Sequence, residues 1–371
     1  MSGGVLLVGA GAVGPLGLDR RAIEAASRDR ASAGDAAPKT RVEGFDASSL
    51  PNAKSLRRAT AHVLFGVAAA AEAARESGGA ALPEESGLVF ASALGSANFS
   101  YRLWHELLKS GPLGASPVLF SEGVPNALAG HVALSLRLLG PGHMLGGGSD
   151  AGLRAVSIGR DLLESRRLSR VVVGAAEEHS ELAVRAYRRL GLAARGAGDG
   201  ERPGIRRGVT RGRALVPSEG AAAFVLERDD PPPKRPALAR LLAVESAQLS
   251  RRDRESDARE LAELLRRAAD AAGGSLRDLS WLGSAANGTH VDAIEARALA
   301  LLAADGFEPV VSRRMRAWCG EAWTVTPLWQ ALEALPIVAA GGRAAVLSVS
   351  PFCGASVLVL AAAGSAQTRR P

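Results

Sequence analysis

Leu138-Leu139-Gly140-Pro141-Gly142, Gly146-Gly147-Gly148-Ser149-Asp150-Ala151-Gly152 and Val171-Val172-Val173-Gly174-Ala175-Ala176-Glu177 follow one another in one run of the chain. The Gly-Pro pair and the glycine triplet punctuate the run, because neither suits the interior of a helix or central strand. Between triplet and valines, residues 150–164 carry a helical pattern. The valines form a short apolar run bounded by charge and glycine, which predicts a buried strand. The segment therefore reads as turn, helix, strand.

Working outward, residues 5–8, 87–90 and 221–226 give the same short apolar signal, and residues 55–77 read as helix. Asp229-Asp230-Pro231-Pro232-Pro233-Lys234-Arg235-Pro236 then suits neither helix nor central strand, so it is the expected linker. It divides the chain into halves 1–228 and 237–371. The second half repeats the theme: strand 238–244, helix 256–272, strand 281–285, helix 293–303, strand 310–311. A terminal hairpin pairs 344–348 with 356–361 through Pro351-Phe352-Cys353-Gly354. Alternating elements in two halves predict a layered α/β protein. Duplication is suggested, although letter matching finds no repeat.

With 371 residues the chain exceeds one ordinary core, and 47% apolar with 22% charged residues is a usual globular composition. The net charge of +7 fits nucleic acid, a membrane surface or an acidic protein partner. No zinc spacing, DNA-binding motif or basic run interleaved with aromatics is found, so nucleic acid is disfavoured. Clusters such as Arg251-Arg252-Asp253-Arg254-Glu255 mix both signs and read as solvated faces. Cys319 and Cys353 make no disulfide framework. No signal peptide or membrane-length apolar window is found, so a cytoplasmic protein is expected.

Gly9-Ala10-Gly11-Ala12-Val13-Gly14 after a strand has the letters of a dinucleotide fingerprint. Its mechanism needs a helix N-terminus facing a pyrophosphate, yet Pro15-Leu16-Gly17 follows and Gly17 weakens a helix. The best acidic partner is Asp35, in a loop-like context. A glycine-rich strand-to-loop turn is the favoured reading; a nucleotide-binding oxidoreductase is the weakest function considered.

From Ser116 onward the chain resembles the β-ketoacyl synthases of the thiolase-fold superfamily. Val124-Pro125-Asn126-Ala127-Leu128-Ala129-Gly130-His131-Val132-Ala133, the Gly140-Pro141 pair and the Ser149 turn resemble the region leading into that family's nucleophile. There a cysteine opens a long buried helix, and a strand ending in an acidic residue follows, as Val171–Glu177 does here. Pro217-Ser218-Glu219-Gly220-Ala221-Ala222-Ala223-Phe224-Val225-Leu226 resembles the strand closing the first half. Asn287-Gly288-Thr289 resembles a shortened His-Gly-Thr segment, and Arg316-Ala317-Trp318-Cys319-Gly320-Glu321 the Lys-Ser-x-x-Gly-His segment. Ser350-Pro351-Phe352-Cys353-Gly354-Ala355-Ser356 resembles the Gly-Phe-Gly-Gly-Thr-Asn turn. The resemblance spans nearly the whole chain and implies a duplicated, thiolase-like fold layered αβαβα.

It also places Ser149, Asn287 and Glu321 where the family has its Cys-His-His. A serine hydroxyl keeps its proton unless a base takes it. Asn287 can donate to an oxyanion but cannot shuttle a proton near neutral pH. An ionised Glu321 would oppose the enolate that condensation builds; losing one such donor already costs on the order of 3–4 kcal/mol.

The resemblance therefore implies a member without competent condensation, like the chain-length factors of type II polyketide synthases. Such a chain pairs with an active ketosynthase as a heterodimer and acts on chains held by an acidic acyl carrier protein. No cofactor or metal is implied. Phe120, Leu128 and His131 are placed near the subunit interface and the tunnel. Other readings stay open. Ser149 could serve an acyltransferase or esterase, with His290 as a displaced base, or could be a small turn residue beside a helix-capping Asp150. Trp318 and Trp323 read as core packing or as filling a former cavity.

Overall fold

The computed structural model describes residues 4–31, 37–79, 81–193, 214–230, 236–250, 252–352 and 354–364. Asp35, Arg251, Cys353 and residues 231–235 of the expected linker lie outside them. The first half runs β1 (Val5–Val13), α1 (Arg20–Ala31), α2 (Ala61–Glu76), β2 (Gly87–Ser92), α3 (Ala97–Ser110), α4 (Pro117–Gly123), α5 (Ala127–Leu136), β3 (Gly142–Gly146), α6 (Ala151–Glu164), β4 (Arg170–Glu177), α7 (Glu181–Arg189) and β5 (Gly220–Arg228). The second runs β6 (Ala239–Gln248), α8 (Arg254–Ala271), β7 (Leu279–Gly283), α9 (Val291–Ala303), β8 (Val310–Ser312), α10 (Arg314–Cys319), α11 (Thr326–Ala339), β9 (Arg343–Val349) and β10 (Gly354–Ala361).

The strands are ordered β3-β2-β4-β5-β1-β6-β10-β9-β7-β8. Counted from each outer edge inward, both halves place their third, second, fourth, fifth and first strands in that order. The pairing senses repeat as well. The outer three strands of each half are parallel, and the next two join antiparallel. A short antiparallel contact, Val5↔Leu241 to Leu7↔Ala239, joins the halves. The repeat that letter matching misses is thus written in the topology.

Alternating strand residues then separate the layers, since neighbours on a strand face opposite ways. Val171 and Val173 of β4 and Phe224 of β5 face a central core, whereas Val172 and Val225 face an outer one. On β10, Leu358 and Leu360 join the central core while Val357 and Val359 face a third core. Helices α6 and α11 fill the centre, α2 and α5 cover the first half, and α8 and α9 cover the second. The result is the expected αβαβα layering.

The glycine-rich N-terminus belongs to β1 through Val13, so these glycines lie in strand rather than in the expected strand-to-loop turn, and they form no phosphate loop. A Cβ on Gly9 would fall 2.2 Å from the Ala73 carbonyl, and one on Gly11 2.1 Å from that of Ala69, both backbone atoms of α2. Only glycine lets helix and strand approach so closely. The β1 amides are also taken: Ala10 N–H donates to Glu76 Oε2 and Ala12 N–H to Glu72 Oε2, each at 2.9 Å. Two carboxylates where a pyrophosphate would need to lie exclude that ligand. Among the described residues no helix is long and apolar enough to cross a membrane.

Candidate active site

Ligand sites in open α/β sheets form beyond the carboxyl ends of parallel strands. Here those ends lead to the Ser149 turn after β3, Glu177 at the end of β4, Asn287 after β7 and the segment of Glu321 beyond β8 and α10.

Ser149 stands one residue before the N-cap of α6 and is buried. Among the described residues its Oγ has no hydrogen-bond partner and so no base within reach. Asp150 occupies the N-cap, but its side chain makes no cap bond, contrary to the capping expectation. Glycines close around that carboxyl group instead: a Cβ on Gly354 would fall 2.4 Å from Asp150 Oδ1. Burial pushes the Asp150 pKa up. The turn also abuts Ser350, whose Oγ would lie 2.1 Å from a Cβ on Gly148.

Asn287 is held in a local turn. Its N–H and that of Gly288 donate to Asp292 Oδ1, at 2.8 and 3.0 Å, while its Oδ1 accepts from Thr289 N–H and Oγ1 at 3.2 and 2.7 Å. Gly288, at φ +88°, supplies the left-handed residue the turn needs. The remaining Nδ2 is a buried donor without a partner among the described residues. His290, half-buried, stands at the N-cap of α9.

Glu321 is locked by a neighbour within its own quoted segment. Arg316 Nε donates to Glu321 Oε2 at 2.6 Å, and both side chains are almost fully buried, at 3% and 2% exposed. Arg316 Nη1 donates to the Ser284 carbonyl, which Gln330 Nε2 also reaches at 2.8 Å. Glu321 backbone groups pair with Val216 and Ser218, pinning the segment to the end of the first half. The other Glu321 oxygen and Arg316 Nη2 have no partner among the described residues. Ser149, Asn287 and Glu321 thus each carry a buried polar atom with no partner among the described residues, whereas such atoms are ordinarily satisfied.

Glu177 joins the pieces. It is fully buried and accepts from Ser92 Oγ (3.0 Å), Ala93 N–H (2.6 Å), Leu94 N–H (3.1 Å) and Thr324 Oγ1 (2.5 Å). Burial pushes its pKa up and these donors oppose that. Thr324 also meets the first turn of α6, since a Cβ on Gly152 would fall 2.0 Å from its carbonyl oxygen. Thr324 thus links the helix beginning beside Ser149 to the segment of Glu321.

The other expected residues lie apart from this network. Phe120 is exposed on α4. Leu128 is fully buried in the outer core, its Cδ1 2.5 Å from where a Cβ on Gly66 would stand. His131 Nε2 and Glu122 Oε2 lie 2.9 Å apart. Trp318 packs partly against the central core with the Arg314 guanidinium 5.9 Å from its ring centre. Among the described residues no group of three or more His, Cys, Asp or Glu side chains could hold a metal ion. Arg316 as counter-ion and Thr324 as link were not foreseen. The only sequence signal for the first is an arginine five residues before Glu321, with Gly320 between.

Residues 4–231 match the family described as β-ketoacyl synthase, N-terminal domain. The chain belongs to the β-ketoacyl synthase family. Solved structures agree on the fold. The ishigamide ketosynthase/chain length factor superposes with a TM-score of 0.78 at 24% identity, covering 98% of this chain and 100% of that one. A β-ketoacyl synthase from Burkholderia phymatum STM815 gives 0.81 at 18%, covering 97% and 99%. AntDE:AntF, a type II PKS acyl-carrier protein in complex with its ketosynthase bound to the hexaketide, gives 0.82 at 16%, covering 98% and 100%. No curated protein matches this ketosynthase-family chain in sequence.

Proposed function

We propose that this chain is a non-condensing subunit of the chain-length-factor kind. It pairs with an active ketosynthase in type II polyketide or fatty-acid-like elongation, on chains borne by an acidic acyl carrier protein. In this reading Ser149, Asn287 and Glu321 are the substituted Cys-His-His positions, and the halves 1–228 and 237–371 are the two copies of the duplicated unit. The observation that carries the reading is the buried Arg316–Glu321 pair. A decarboxylating condensation needs donors aimed at a developing enolate, and here a carboxylate with its own counter-ion stands in one donor's place. An alternative nucleophile at Ser149 is disfavoured, because activation needs a base within hydrogen-bond reach and its Oγ meets none among the described residues.

The surface supports a partner. Strand β3 is last in the order, so one edge of its ladder is open, and open edges invite pairing. Around it, Trp104, Leu108, Phe120, Leu134 and Leu139 are exposed on α3, α4, α5 and the turn into β3, elements that pack on one another. Exposed large apolar residues gathered on neighbouring elements favour an interaction site.

The test is reconstitution. The tagged chain is co-expressed with an intact Cys-His-His ketosynthase from its own gene neighbourhood, and the complex is supplied with acyl and malonyl carrier thioesters. A stable one-to-one complex that elongates only when both chains are present is expected. The isolated chain, given the same thioesters, is expected to show no acyl adduct at Ser149 by mass spectrometry. A stoichiometric adduct that turns over would overturn the proposal in favour of a Ser149 acyltransferase or esterase.

A further inference from the structure

Besides its three layer-separating cores the chain has a small fourth, built from Tyr187, Ala193, Leu215 and Trp323 with Ala93, Leu94 and Leu192 around them. It lies at the carboxyl ends of the strands, above the Glu177 junction, and its members come from both halves. Trp323 is 1% exposed, and the Tyr187 ring meets it edge-on at 5.5 Å. Tyr187 also meets Phe352 at 5.9 Å, and Phe352 is 43% exposed, so the cluster is one ring from solvent. Burial pushes the Tyr187 phenol up to about 12, as befits a dry site.

The backbone at Trp323 is the second observation. Its φ is +42°, a region that a bulky side chain adopts only when its surroundings force it. The forcing contacts are identifiable. Glu321 N–H donates to the Val216 carbonyl at 2.7 Å and Ala322 N–H to Thr326 Oγ1 at 2.8 Å. Thr324 Oγ1 is tied to Glu177. With the chain anchored on both sides, the indole packs among Leu94, Leu192 and Leu215.

We propose that Trp323 is a built-in plug that fills the chain's own acyl slot, so that a growing apolar chain has no room here and must lie in the partner. This rests on the non-condensing reading and specifies it: Trp323 is the specificity-determining residue, and the ligand class it excludes is a medium-length acyl chain on a thioester arm. Ala93, Leu94, Leu192, Ala193 and Leu215 are walls suited to methylenes. Glycine at 323 would remove the indole and the strain together.

The experiment uses the isolated full chain and octanoyl-pantetheine, with affinity read by isothermal titration. The wild type is expected to bind weakly or not at all. Trp323→Gly is expected to bind about tenfold tighter or better, the gain of two or more methylenes entering an apolar slot. Trp329→Ala makes a hole of similar origin in the sealed central core, where Trp329 is fully buried, and is expected to behave like the wild type because the pantetheine arm cannot enter. A folded Trp323→Gly that binds no better than wild type refutes the plug, as does an equal gain in Trp329→Ala. Should the glycine variant fail to fold, Trp323→Leu is held to the same criterion, and failure of both to fold counts as core packing and against the plug. Because no partner is present, the outcome is independent of whether an active ketosynthase pairs with this chain.

Discussion

Replacing Arg316 by methionine tests the reasoning about Glu321 most directly. The substitution keeps an unbranched stem but removes the cation 2.6 Å from Glu321 Oε2, leaving a carboxylate 2% exposed with no counter-ion. Breaking a buried pair from one side costs about 3–5 kcal/mol, because the survivor has neither water nor partner. The Ser284 carbonyl keeps its bond from Gln330, and the buried Glu295, which also feels Arg316, keeps Arg313 beside it. At ~2.1 cal/mol/K per residue over 371 residues, the unfolding entropy is about 0.8 kcal/mol/K, and the melting temperature should fall by about 4–6 °C. Removing both charges, in Arg316→Met with Glu321→Leu, should recover most of that loss, to within about 1 kcal/mol of wild type. Calorimetry of the four proteins in the cycle reads both numbers. A single variant melting within a degree of wild type would refute the claim that the pair is desolvated, and so would a double variant as unstable as the single.

Gly152→Ala places a Cβ 2.0 Å from the Thr324 carbonyl oxygen, a backbone atom that cannot swing aside, and should cost about 1–3 kcal/mol or more by thermal melt. Burial raises Glu333 above its ordinary 4.5, so the folded chain holds that proton more tightly than the unfolded one. Its contribution is complete below about 4.5 and is lost as pH rises through the raised value. Glu333→Gln removes this dependence, and its melting temperature relative to wild type should climb as pH rises above about 4.5 and then level off once the raised value is passed; a constant difference would contradict the assignment. Trp104→Asp with Phe120→Asp changes two exposed residues, so the melt of the isolated chain should stay within a degree while co-purification with the ketosynthase is lost.

What could be read in advance divides along physical lines. The terminal hairpin emerges in the expected register, Ser356 opposite Ser348 and Leu360 opposite Ala344, because period-two patterning and a turn define it locally. The helix after Ser149 is correct to one residue for a similar reason. Strand β1 runs five residues beyond the expected end at Val8, since its glycines serve helix–strand contact that only the packed structure reveals. Expected helix 55–77 is Ala61–Glu76, and α3, α4 and α7 were not foreseen. Helix α11 left no signal because it is buried nearly all round, which erases the polar face that a helical period needs. In the candidate site, motif order singled out Ser149, Asn287 and Glu321, and the structure places all three beyond the carboxyl ends of parallel strands. The Arg316–Glu321 pairing was not, because it depends on the chain reversing at Gly320, φ +76°.

The central layer has a consequence for biosynthesis. Helix α6 is made early and α11 late, yet they share one core, and Thr324 reaches Glu177 across 147 residues of sequence. While the ribosome is still making the second half, α6 can already lie on Val171 and Val173, but the part of the central core that α11 fills has nothing to cover it. Closing contacts of such sequence separation is slow, and nascent apolar surface of this kind attracts aggregation or chaperones. A ribosome stalled shortly after β6 should therefore display a chaperone-bound chain, and release should come only once α11 has emerged to close the middle of the molecule.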